Sequence, residues 1–284
     1  MSRLDLKSSS FSTSTFSVPN SMTYGDSPVN ITTVPTSDSS GAITYASSNT
    51  NIATIHPTTG LITAVGAGAV YFIATQAQTG VYNSNTRNSN NMSVNRKTIT
   101  QSKNSPYTAD TITKYYGDAA FQLSTTSIST ASKTYSLSTP SVVSISNVSN
   151  VANVTINNVG TVTITGSQLA NSQYTTSNDA VWVLTVEKGT TALTGLSATI
   201  SKNVTDAAFY VSATSSSTGT KSYALSDPSN EAVLTVNSSS GLVTLKGPGS
   251  ARVIISQAAS SLYNAPVDVS CVITVTEAGS ALQG

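Results

Sequence analysis

This chain repeats one pattern three times. Tyr24-Gly25-Asp26 returns as Tyr116-Gly117-Asp118 and, in altered form, as Val204-Thr205-Asp206. Ile43-Thr44-Tyr45 is echoed by Lys133-Thr134-Tyr135 and by Lys221-Ser222-Tyr223. Gln76, Gln168 and Gln257 follow, then Tyr82, Tyr174 and Tyr263, and finally Val94, Val186 and Val275. A period of about 90 residues is the size of a small domain with its own core, not of one solenoid turn. The 284 residues therefore divide into three modules.

Within each module the apolar pattern has period two and comes in short runs. Ile52-Ala53-Thr54-Ile55 leads through Pro57-Thr58-Thr59-Gly60 to Leu61–Val65, and Gly66-Ala67-Gly68 then turns into Val70–Ala74. The third module repeats this with Val233–Val236, Ser239-Ser240-Gly241, Leu242–Leu245, Gly247-Pro248-Gly249 and Arg252–Ile255. β-Branched runs of this length bounded by Gly, Pro, Asn and Ser are strands and hairpin turns. No segment carries a helical period. About seven alternating strands per module predict an all-β fold of three antiparallel two-sheet sandwiches.

The pattern lapses at Asn95-Arg96-Lys97-Thr98 and at Glu187-Lys188-Gly189-Thr190. These joints set the expected domains: 1–10 as a flexible N-terminal arm, 11–96, 97–187 and 188–277 as the sandwiches, and 278–284 as a C-terminal tail. Short polar joints place the modules nearly end to end. Three compact bodies of about 30 Å each then make a rod of about 100 Å.

Composition removes several roles. Only 9% of residues are charged, and 13 Lys and Arg balance 12 Asp and Glu. Such a surface lacks the clustered cations that displace counterions from nucleic acid, and it offers an anionic membrane little attraction. No run approaches the roughly 20 apolar residues of a membrane-spanning helix. Neither a nucleic-acid partner nor membrane insertion is expected. One cysteine, Cys271, excludes a disulfide within the chain. The N-terminus from Met1 runs into a Ser/Thr tract without the apolar stretch of a secretion signal, so either a signal has been removed ahead of it or the protein does not pass through a secretion channel. Six Asn-x-Ser/Thr sites, at Asn30, Asn91, Asn147, Asn153, Asn203 and Asn237, are what so Ser/Thr-rich a chain contains by chance.

Chemistry-bearing constellations are scarce. His56, the single histidine, precedes Pro57 at a strand-to-turn junction, with no carboxylate recurring near it in sequence to orient it as a base. No Gly-x-Ser-x-Gly elbow opens a helix. One Cys and one His cannot complete a zinc site. Asp26, Asp118 and Asp206 stand alone, with Asp227 and Glu231 distant in sequence, so turn bonding is their expected role and a calcium site at the joints the alternative. Trp182 and Cys271 fall four residues before Val186 and Val275, on the core-facing phase of their strands; a sugar platform is the alternative for the Trp. Tyr45, Tyr135 and Tyr223 read as sandwich packing with satisfied hydroxyls. No catalytic, cofactor-binding or metal-binding residue is assigned, and no enzyme is expected.

The succession Tyr24-Gly25-Asp26, Gly41–Tyr45, Ser47-Ser48-Asn49, Ala53-Thr54-Ile55, Thr59-Gly60-Leu61-Ile62 and Val65–Gly68 resembles the bacterial immunoglobulin-like domain of the invasin/intimin type (group 2). Such domains also occur in phage and large DNA-virus virion proteins. The second module departs from the pattern, because Asn153-Val154-Thr155-Ile156 has no glycine turn before it. The resemblance implies a sandwich for spacing or adhesion and no catalytic residues. Together with the missing secretion signal, it points to a virion component (capsid, tail or fibre) that decorates, bridges or attaches. The alternative is the stalk of a bacterial cell-surface protein. Protein partners are expected, through sandwich edge strands and through the arm Met1 to Ser10.

Overall fold

The computed structural model describes residues 6–278. The second module gives the plan. Its β-branched runs pair as one four-stranded sheet in the spatial order Thr111–Tyr115, Ala180–Glu187, Gly160–Gln168, Lys133–Leu137. The first pairing is parallel and the other two antiparallel. The facing sheet runs Phe121–Leu123, Val151–Ile156, Val143–Val148, and Ser102–Lys103 pairs with Thr125–Thr126 beside it. This division of strands between two sheets is that of an immunoglobulin-like sandwich. The third module repeats it. Thr199–Asn203, Val269–Thr276, Gly249–Gln257 and Lys221–Leu225 face Phe209–Tyr210, Leu242–Leu245 and Leu234–Val236. The only helical segments among the described residues are the 3-10 turns Ser10–Ser12 and Pro228–Ala232.

In the first module both long central strands are interrupted. The expected run Val70–Ala74 is broken at Tyr71, giving Gly68–Val70 and Phe72–Gln76, and the partner strand divides into Asn85–Asn88 and Met92–Asn95. Polar side chains fill the gap. Ser89 Oγ accepts the Phe72 N–H (2.9 Å). The Asn90 amide bonds both backbone groups of Val18, accepting from its N–H (2.9 Å) and donating to its carbonyl (3.1 Å). One side chain thereby supplies both Val18 backbone groups with the partners a neighbouring strand would offer.

Each sandwich has its own core. Phe11, Met22, Ile62, Phe72 and Met92 belong to the first, Val143, Ile164, Trp182 and Leu184 to the second, and Leu234, Val253, Ile255, Cys271 and Ile273 to the third. Trp182 and Cys271 are fully buried, opposite Ile164 and Val253 respectively, in the strand phase that the sequence gives them. The missing glycine turn of the second module is replaced by Ser149 and Asn150, both with positive φ (52° and 65°), in a two-residue hairpin. Asn tolerates this region well and Ser less so.

The arm expected at 1–10 requires correction where it can be seen. Residues 1–5 lie outside the described part. Leu6–Ser10 is not free: the Lys7 N–H donates to the Val81 carbonyl (2.7 Å), and Ser9, itself buried, donates to Gln76 Oε1 (2.9 Å). Phe11 anchors the segment with 0% exposure. Ser/Thr richness read as looseness; one phenylalanine with a core to enter outweighs it. The expected tail at 278–284 falls outside the described residues from 279 onward.

Candidate functional site: the joints and poles of the modules

The polar residues singled out in the sequence are mostly occupied by their own turns. Asp26 Oδ2 accepts the Thr23 N–H (2.7 Å), Asp118 Oδ2 that of Tyr115 (3.0 Å) and Asp206 Oδ2 that of Asn203 (3.0 Å). Each aspartate closes its own turn, and among the described residues no group of three or more His, Cys, Asp or Glu gathers around them. Asp227 caps the Pro228–Ala232 turn by accepting the Ser229 N–H (2.9 Å), a bond that holds its carboxyl below the usual carboxylate range. His56 does in the first module what Asn237 does in the third. Its exposed Nδ1 accepts from Thr58 and Thr59 (3.3 and 3.2 Å), as Asn237 Oδ1 accepts from Ser239 and Ser240 (3.1 and 2.9 Å).

Trp182 donates from Nε1 to the Tyr107 carbonyl (2.9 Å) and offers no open face to a sugar. Burial raises the Cys271 thiol above its ordinary pKa. Tyr45 and Tyr223 are buried, and Tyr135 donates its hydroxyl to the Asn150 carbonyl (3.0 Å).

The repeated glutamines form a latch that the repeat made visible without explaining. Gln257 Oε1 accepts from Ser215 Oγ (2.6 Å) while its Nε2 donates to the Ser217 and Gly219 carbonyls (3.0 and 2.7 Å). Gln168 does the same with Ser127, Ser129 and Ala131. Gln76 departs: its Oε1 accepts from both Ser9 and Ser37, and its buried Nε2 has no partner among the described residues. In each case a Ser-x-Ser loop is pinned to the end of a core strand.

Sheet edges are partly closed by the same economy. Lys133, at the start of an edge strand, has its N–H taken by Asn150 Oδ1 (2.8 Å) and its carbonyl by Asn147 Nδ2 (2.7 Å). On the corresponding strands the Tyr45 and Tyr223 N–H groups donate to the Pro57 and Ser238 carbonyls (both 2.9 Å). These pairings consume rungs on which an incoming strand would build.

The joints are the feature that the sequence analysis missed. Tyr24, from the Tyr-Gly-Asp turn of the first module, meets Tyr174 of the second with ring centroids 5.4 Å apart and planes at 81°. Tyr116 of the second module meets Tyr263 of the third at 5.2 Å and 88°. Both are edge-to-face pairs, the favoured arrangement for aromatic quadrupoles. The turn glycines, Gly25 and Gly117, have φ of 84° and 95°, a region L side chains rarely adopt. The linker is stitched to the module that follows it. Lys97 donates its N–H to the Gln173 carbonyl (2.9 Å) and its carbonyl accepts from Thr175 (3.0 Å). Gly189 likewise donates to Leu262 and accepts from Asn264 (both 2.9 Å). At the first joint the Ala67 N–H also donates to the Ser172 carbonyl (2.7 Å) and Gln173 Nε2 to that of Val65 (3.2 Å). The recurrence of Tyr24 with Tyr116 and of Tyr174 with Tyr263 was plain in the sequence. That they pair across modules was not, because the repeat aligns them within modules.

Residues 21–83 match the family model of the bacterial Ig-like domain (group 2). No curated protein matches the sequence. Among solved structures, Drosophila N-cadherin EC1-3 is similar at 12% identity and TM-score 0.34, over 92% of this chain and 98% of that one. The protocadherin gamma B2 extracellular domains 3-6 are similar at 13% and 0.30, over 93% and 72%. Human protocadherin-24 EC1-2 is similar at 14% and 0.28, over 63% and 98%. Each superposes only loosely.

Proposed function

We propose that this chain is a non-enzymatic structural and binding rod whose three Ig-like sandwiches set a fixed spacing and hold protein partners. The observation that supports this most is the joint used twice, Tyr24 on Tyr174 and Tyr116 on Tyr263. A swivelling linker needs no ring contact; a repeated one sets direction as well as distance. The near-neutral, charge-poor surface suits partners held by polar and backbone contacts.

The setting we propose is a virus particle, with the chain as a capsid, tail or fibre component. Cys271 is buried and unpaired, so the sandwiches fold without a disulfide. This suits synthesis in a reducing cytoplasm, where particles assemble. A second reading, the stalk of a bacterial surface protein, is favoured by the match of residues 21–83 to a bacterial domain family. The deciding experiment is sedimentation of the native source particle. The chain should travel with it and stay bound when salt is raised to about 1 M, where the Debye length is about 3 Å. Recovery from a bacterial envelope, as part of a longer polypeptide, would give the second reading the field.

A further inference from the structure

The first module ends, at its N-terminal pole, in the same construction that receives a neighbour in the other two. Lys7 bridges Tyr82 in parallel, as Lys97 bridges Tyr174 and Gly189 bridges Tyr263. Lys7 donates to the Val81 carbonyl (2.7 Å) and accepts from the Asn83 N–H (2.9 Å), the bonds Gly189 makes with Leu262 and Asn264. Asn83 Nδ2 donates to the Leu6 carbonyl and Asn264 Nδ2 to that of Lys188, both at 3.3 Å. Yet Tyr82 has no ring partner among the described residues, and Val81 beside it is 48% exposed.

The opposite pole does not complement it. In the third module Val204 stands where Tyr24 and Tyr116 stand, and it packs against its own core. Thr205 replaces the glycine and is bonded to Asn203 Oδ1 through N–H and hydroxyl (3.1 and 2.9 Å). A second copy therefore brings no free tyrosine turn, since Tyr24 and Tyr116 are both engaged within their own chain.

We propose that the pole formed by Lys7, Val81, Tyr82 and Asn83 is a docking site for the Tyr-Gly-Asp turn of another Ig-like module. The occupant is identified by what covers the same residues twice within this chain. The proposal rests on the reading of the protein as a binding rod. Co-sedimentation tests that reading separately, and its outcome does not depend on this pole.

The full chain carrying V204Y and T205G restores Tyr-Gly-Asp at 204–206 and so serves as its own probe. At about 1 mM, the scale on which linked modules meet, it should self-associate head to tail in sedimentation velocity. Adding Y82A should weaken that association about fivefold or more, the worth of an aromatic pair. The unaltered chain should stay unassociated. Failure of the restored variant to associate, or association indifferent to Y82A, overturns the proposal. Equal association of the unaltered chain also overturns it, by making a second copy the occupant. If V204Y/T205G loses its circular dichroism signature, the test moves in cis. A copy of residues 96–187 is fused ahead of Leu6, and scattering should show a fixed joint that Y82A loosens. A joint equally loose with and without Y82A counts against the proposal.

Discussion

A Cβ placed on Gly189 would stand 2.1 Å from the carbonyl oxygen of Tyr116, far inside any contact that real atoms make. The linker between the second and third modules therefore passes directly over the tyrosine turn, and only glycine fits. Lys97 holds the corresponding place at the first joint, where its side chain lies beside Gly25.

G189A should force the second joint apart while leaving both sandwiches folded. Tryptic cleavage after Lys188 in the native protein should speed up by about tenfold, a local opening rather than a global one. The equivalent change K97A should have little effect at the first joint. Unchanged cleavage in G189A would mean that the close pass is not there.

The glutamine latch should be worth more where it is complete. Q168L removes one bond each from the Ser127 hydroxyl and the Ser129 and Ala131 carbonyls, and is expected to destabilise the second module by about 2–4 kcal/mol. Q76L removes a buried Nε2 that already has no acceptor among the described residues, so its cost should be clearly smaller, about 1 kcal/mol. Urea unfolding of the two variants, followed by module-specific signals, checks the order.

Alkaline stability should respond to Tyr135. Burial raises its pKa above the ordinary value of 10.0. The unfolded chain therefore releases the phenolic proton first as pH rises. Its contribution to stability is complete below about pH 10 and is lost above it. Y135F should flatten that alkaline loss, at a constant cost of about 1 kcal/mol for the forfeited bond to the Asn150 carbonyl. Thermal unfolding of both proteins at neutral pH and above pH 10 shows whether the two curves converge.

Much of the fold was legible because period-two runs state which face of a strand is buried. Trp182 and Cys271 could be placed in cores from phase alone, and the three aspartates in turns from the glycine or threonine before them. What escaped was information carried by single side chains acting at a distance. Asn90 replaces a ladder rung and splits two strands, Phe11 captures a segment that composition described as an arm, and Asn147 and Asn150 close an edge. None of these leaves a periodic trace. The joint escaped for another reason. Its two halves each recur in register, and a repeat aligned with itself reveals equivalence, not contact between unlike positions in successive copies.

The central claim is that paired tyrosines, and not the linkers alone, fix the modules end to end. Small-angle X-ray scattering of the full chain against the double variant Y24A/Y116A tests it most directly. The unaltered chain should scatter as one extended particle about 100 Å long with a sharp end to its distance distribution. The double variant should keep its sandwiches and lose that sharpness as the modules reorient. If the two profiles superimpose, the tyrosines do not set the geometry and this account of the rod is wrong.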